Sequence, residues 1–170
     1  MKQIIADIRY KQRFYQSQGF YTSFTRALSS DGTLAVLLYR LSAFFVTCKL
    51  SPLAWLTHKV NVFCTGCVIG VKAKFGSGFV LLHPIGVVIN SKVKGGDNVV
   101  LESGVVIGDE KGKAPTLGDN IFVGSGAKII GDISIGDNAK VGANAVVLKD
   151  VPANTTVVGI PAKEVVRKAP

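Results

Sequence analysis

Acidic residues are scarce in this chain: 11 Asp and Glu stand against 20 Lys and Arg, a formal net charge of +9 over 170 residues. Cysteine is scarcer still. Cys48, Cys64 and Cys67 cannot make the paired framework of a small secreted domain, and they point to a reducing compartment. Cys64-Thr65-Gly66-Cys67 has the spacing of a redox pair or of half a zinc site. No second pair follows, and the chain's two histidines, His58 and His83, lie elsewhere, so no metal site is expected. The N-terminus lacks the apolar core of a secretory signal, being interrupted by Asp7, Arg9, Lys11 and Arg13, which predicts a cytoplasmic protein. No aromatic-and-basic platform or groove-reading motif accompanies the positive charge, which argues against nucleic acid as a partner. A glycine-rich dinucleotide loop is also missing, and Lys94-Gly95-Gly96-Asp97 reads as a turn.

The positive charge is uneven. Residues 1–60 carry eight basic side chains against Asp7 and Asp31, +6 of the net +9. Within them Leu34 to Val46 reads as a strongly apolar helix, capped by Ser30 or Asp31. Arg40, Lys49 and Pro52 exclude a spanning helix. Its apolar face is expected to pack on the remainder of the chain or on another subunit. The alternative is peripheral membrane contact through these basic helices, with Phe44, Phe45 and Trp55 among lipid headgroups, which would place the protein at the inner face of the membrane. The expected division is a helical region over residues 1–61 and a second domain, with a C-terminal tail, over 62–170.

What the chain has is glycine, 19 residues of it, and a period of six. Leu117, Val123, Ile129, Ile135, Val141 and Val147 recur at that interval, with Gly following at 118, 124, 136 and 142 and Ala at 127, 139 and 145. Neither a helix nor an ordinary strand has this period. A solenoid of short flat strands does, with one large aliphatic per strand pointing inward and three strands per coil: a parallel β-helix. The beat extends upstream through Ile69, Phe75, Leu81, Ile89, Gly95 (a weak rung), Leu101 and Ile107. Two residues are extra between Leu81 and Ile89, and four between Ile107 and Leu117. Insertions of this kind form outside loops, where function concentrates.

His83 lies in the first insertion, where a solenoid strand has no structural need for imidazole. Its neutral form can take a proton from a hydroxyl, the work of a general base. Eighteen residues make one coil, so counting across the insertions stacks His83 on Ser103 and Ser125, and Leu82 on Glu102. Glu102 or Ser103 is then expected to orient the His83 ring. His58, at the end of the helical region, reads as a surface or packing residue.

The segments Ala73-Lys74-Phe75-Gly76-Ser77-Gly78, His83, Val123-Gly124-Ser125-Gly126-Ala127-Lys128-Ile129-Ile130-Gly131 and Val157-Val158-Gly159-Ile160-Pro161-Ala162-Lys163 resemble the hexapeptide-repeat acyltransferases. The nearest branch is that of the serine acetyltransferases and their relatives in bacterial polysaccharide loci. The resemblance covers roughly residues 62–166. It implies a mainly β fold, a left-handed parallel β-helix after a short α-helical region, assembled as a homotrimer. It also implies acetyl-CoA as acyl donor and His83 as the base that deprotonates the acceptor. Asp109, Ser125, Lys140 and Ala143 match positions that meet acetyl-CoA, and Lys140 and Lys163 are expected near its phosphates. By the same resemblance, three polar positions of an amino-acid acceptor site are here Leu82, Val68 and Ala114. An ammonium or carboxylate would be poorly paired there.

The expectation is an acetyl-CoA-dependent O-acetyltransferase, with His83 as base, Glu102 or Ser103 as its helper and a sugar hydroxyl as acceptor in surface-glycan synthesis. A serine O-acetyltransferase is the alternative, and a catalytically inactive trimeric scaffold is the alternative of another class.

Overall fold

The computed structural model describes residues 2–165; residues 166–170 of the expected tail lie outside it. Each hexad forms a strand of two or three residues, too short to stand alone, whose aliphatic points inward while its neighbour points out. Ile69, Leu81, Ile89, Leu101, Ile107, Val123, Ile129 and Val141 are all at most 2% exposed. Successive strands turn onto three faces. The first face stacks Val68–Ile69, Val88–Ile89, Val106–Gly108, Lys128–Ile130 and Val146–Val147. The second stacks Lys74–Phe75, Lys94–Gly95, Thr116–Leu117 and Ser134–Ile135. The third stacks Val80–Leu81, Val100–Leu101, Phe122–Val123, Lys140–Val141 and Thr156–Val158, all parallel, and Lys163–Glu164 closes it antiparallel. The architecture is a left-handed parallel β-helix.

The register follows the counted insertions. Leu81 pairs with Leu101 across the first, Leu101 with Val123 across the second, and Lys128 with Val146 where neither is crossed. The weak rung at Gly95 has a packing reason. A Cβ there would collide with the Phe75 ring, so the large Phe75 of one coil fills the space that Gly95 leaves in the next. Phe75 in turn stacks on Phe79 at 4.1 Å, and the Tyr39 ring meets both edge-on.

Four helices precede the solenoid: α1 (Lys2–Ser17), α2 (Phe24–Ser29), α3 (Thr33–Thr47) and α4 (Ser51–Thr65). The cap of α3 is Gly32, in place of the expected Ser30 or Asp31. Gly32 has φ +76°, and a Cβ on it would run into the Leu81 carbonyl, so only glycine lets the helix start this close to the solenoid. Three buried charged side chains fasten the helices down. Arg40 Nε donates to Asp7 Oδ2 at 2.9 Å and its Nη1 to the Phe75 carbonyl at 2.8 Å. Asp7 Oδ1 accepts the amides of Gly78 and Phe79 at 2.8 and 3.0 Å. Lys11 Nζ donates to the Leu81 carbonyl at 2.9 Å, to Thr33 Oγ1 at 3.1 Å and to the Asp31 carbonyl.

The apolar helix packs on the solenoid along one side. Ala35, Val36 and Tyr39 of α3 join the solenoid core. Leu34 and Phe44, with Trp55 of α4, are exposed.

Candidate active site

The third face turns into the first at a corner that carries the first insertion, and His83 sits there. The paired strands below it bring Ser103, Ser125 and Ala143 into one column with His83, and Glu102 beside it. Ser125 Oγ donates to Glu102 Oε2 at 2.8 Å, so Glu102 is held by the serine one coil on. The carboxylate that reaches His83 is another one, Asp31, whose Oδ2 lies 3.5 Å from Nδ1. That is an ion-pair separation for a protonated ring and longer than a formed hydrogen bond. Asp31 belongs to the α2–α3 connection, which counting within the solenoid cannot find, whereas Glu102 is bonded to Ser125. One signal was available: Asp31 is the sole acid between Asp7 and Asp97.

His83 and Asp31 form one wall of a cleft of about 540 Å³ completed by Tyr15, Phe20, Tyr21, Thr22, Arg26 and Ser30. Burial first, and then the Asp31 and Glu102 carboxylates, push the Tyr15 phenol above its ordinary value. Behind the cleft, Lys11 joins the Asp31 carbonyl to Leu81, two residues before His83. Burial brings its ammonium down to about 8, with Asp31 pulling the other way. The side chains of Leu82 and Val100 are buried beneath Tyr10, Phe14 and Tyr15. Position 82 thus holds α1 against the solenoid and offers no charge to a ligand. Val68 is half-buried on the first face, and Ala114 packs against the main core.

The residues expected on the coenzyme side are spread wider. Ser125 and Ala143 share the His83 column. Lys140 is exposed on the third face and Lys163 on its antiparallel last strand. Asp109 lies past the far end of the first face, where its Oδ1 accepts from Asn90 Nδ2 at 2.7 Å. The two-cysteine motif is not a redox centre: Cys67 is fully buried and its thiol is pushed up to about 12 by burial, while Cys64 is exposed. Among the described residues no group of His, Cys, Asp and Glu is arranged to hold a metal ion.

Residues 114–149 match the bacterial transferase hexapeptide family (six repeats). The serine acetyltransferase of Helicobacter pylori strain J99 is 41% identical over 140 residues, 80% of this chain and 82% of that protein. The chain belongs to the serine acetyltransferase family of hexapeptide transferases. The Bacillus pumilus serine acetyltransferase is 42% identical over 144 residues, 82% of this chain but 66% of its own length. Among solved structures, the serine acetyltransferase of Brucella abortus strain S19 in complex with coenzyme A superposes with a TM-score of 0.88 at 29% identity, over 96% of this chain and 66% of that one. The chain thus spans about two thirds of the length of several members of its family.

Proposed function

We propose that this protein is an acetyl-CoA-dependent O-acetyltransferase with His83 as general base. The observation that carries the reading is the position of His83: at a solenoid corner, on the rim of a cleft, with a carboxylate beside Nδ1. With Nδ1 turned to Asp31, Nε2 is the nitrogen left to take the acceptor's hydroxyl proton. The freed oxygen attacks the thioester carbonyl and the C–O bond forms. The C–S bond then breaks, and the coenzyme thiolate leaves with the proton from the imidazolium. Asp31 would hold the ring and stabilise its charged form. Ser125, Ala143, Lys140, Asp109 and Lys163 are proposed to line the coenzyme's path, on their match to the coenzyme positions of hexapeptide acyltransferases; coenzyme A itself is bound by the Brucella abortus protein.

Serine is the first acceptor to test, because the named relatives are serine acetyltransferases. Arg26 and Asp31 in the cleft supply one charge for each end of an amino acid. This moves the balance away from the saccharide expected from the sequence. A saccharide hydroxyl remains as the second reading on one specific observation. Leu82, Val68 and Ala114 offer no charge, and the cleft wall carries the exposed rings of Phe20 and Tyr21. Assembly as a homotrimer is part of the proposal.

The test is thiol release from acetyl-CoA with L-serine and with a panel of nucleotide sugars and oligosaccharides. Release with serine supports the first reading, and release only with a saccharide the second. No release with either, from protein that binds acetyl-CoA, would overturn both.

A further inference from the structure

Helix α4 is amphipathic in the inverted sense. Ala54, Thr57 and Asn61, spaced three and four residues apart, are its buried stripe. Asn61 Nδ2 donates to the Ala35 carbonyl at 3.0 Å, and Ser42 Oγ of α3 to the Ala54 carbonyl at 2.9 Å. The apolar stripe of similar spacing, Leu53, Leu56, Val60 and Phe63, faces outward, and Phe63 is 90% exposed. Trp55, on the same helix, is 61% exposed. A helix packed in water turns its apolar stripe to the core, so a contiguous outward stripe marks a face made to be covered.

The charge around this face decides what covers it. Between Asp31 and Asp97 the chain contains no acidic residue. On the hairpin of α3 and α4, Arg40 is buried against Asp7, and the exposed charges are Lys49 and Lys59, both positive. The Lys59 ammonium lies 5.5 Å from the Trp55 ring centroid. A second copy brought face to face would set these lysines against their own kind, with no acid of the hairpin to neutralise them. An anionic headgroup layer meets both needs, taking lysines at its surface and aromatic and aliphatic side chains just below it. At about 1.5 Å of rise per residue, neither 15-residue helix is long enough to cross the hydrocarbon core, so the contact is in the plane of the surface.

We propose that the outward face of the α3–α4 hairpin docks on an anionic lipid surface. Trp55 is the chain's single tryptophan, so its emission reports this face alone. The experiment mixes the full chain with phosphatidylcholine vesicles that contain or lack phosphatidylglycerol. The expected result is a blue shift of Trp55 emission and quenching by brominated acyl chains on the anionic vesicles, both reversed by salt. Lys49→Ala and Lys59→Ala should each weaken binding roughly fivefold. Phe63→Ser, at a position so exposed that folding is unaffected, should reduce binding without changing the circular dichroism. No shift on anionic vesicles, or equal binding to both compositions, would overturn the proposal. So would a lipid-free protein in which Trp55 is already shielded from a soluble quencher, because a second copy would then occupy the face. None of these readouts involves acetyl transfer, so their failure leaves the catalytic reading untouched.

Discussion

Lys11 is a buried amine whose titration can be followed. With its folded value near 8, it binds fewer protons in the folded than in the unfolded chain between about 8 and 10.5. Stability therefore rises with pH across that window, by at most about 3 kcal/mol from this group, and the full burial penalty is present at pH 7. The Cys67 thiol acts oppositely: it keeps its proton to about 12 when folded, so stability falls as pH climbs from about 9. Comparing Lys11→Met with wild type by chemical denaturation at pH 7 and pH 10 cancels the cysteine. The gap should move toward wild type at the higher pH, and an unchanged gap would contradict the burial argument. Asp31, 77% exposed at its side chain, should be dispensable for folding. Asp31→Ala is expected to leave the circular dichroism unchanged and to lower turnover roughly tenfold, a part of what a general base contributes. At this scale His83 and its serine column were legible, because a stacked position is fixed by counting coils. Asp31 was not, because it arrives from a different element through tertiary docking.

Among the elements, the docking of α1 and α3 on the solenoid rests on the ion pair of Asp7 and Arg40. Burial pushes the Asp7 carboxyl up, and the Arg40 guanidinium with the Gly78 and Phe79 amides pulls it back. Removing one partner leaves a buried charge alone. Asp7→Ala should cost about 3–5 kcal/mol, and the double variant Asp7→Ala with Arg40→Met clearly less than the sum of the single ones. Additive losses in a denaturation double-mutant cycle would show that the pair acts only as two separate anchors. The solenoid strands were legible to the residue, since one aliphatic per six admits few other folds. The insertions were legible too, and the pairing of Leu81 with Leu101 and Val123 follows from them. The helices were harder. Their apolar residues run on several sides, and periodicity does not say which side meets the protein. Phe44 and Trp55 are accordingly exposed on the single chain, and Gly32 replaced the polar cap because the approach to Leu81 leaves no room for a Cβ.

For the whole molecule, family membership and the β-helix were readable from the hexads, while the acceptor was not. The side chains that line the cleft beside His83 come from α1, the α1–α2 connection, α2 and the α2–α3 connection. That wall is assembled by docking and leaves no repeat in the sequence. In the proposed reaction His83 removes the acceptor's proton in a direct transfer from acetyl-CoA. The most direct measurement is thiol release by wild type and His83→Ala, each saturated with acetyl-CoA and supplied with the acceptor that wild type uses, with coenzyme binding measured alongside by calorimetry. Coenzyme binding should be retained and turnover reduced by about 10²-fold or more. A His83→Ala variant that turns over at the wild-type rate would rule out His83 as the base.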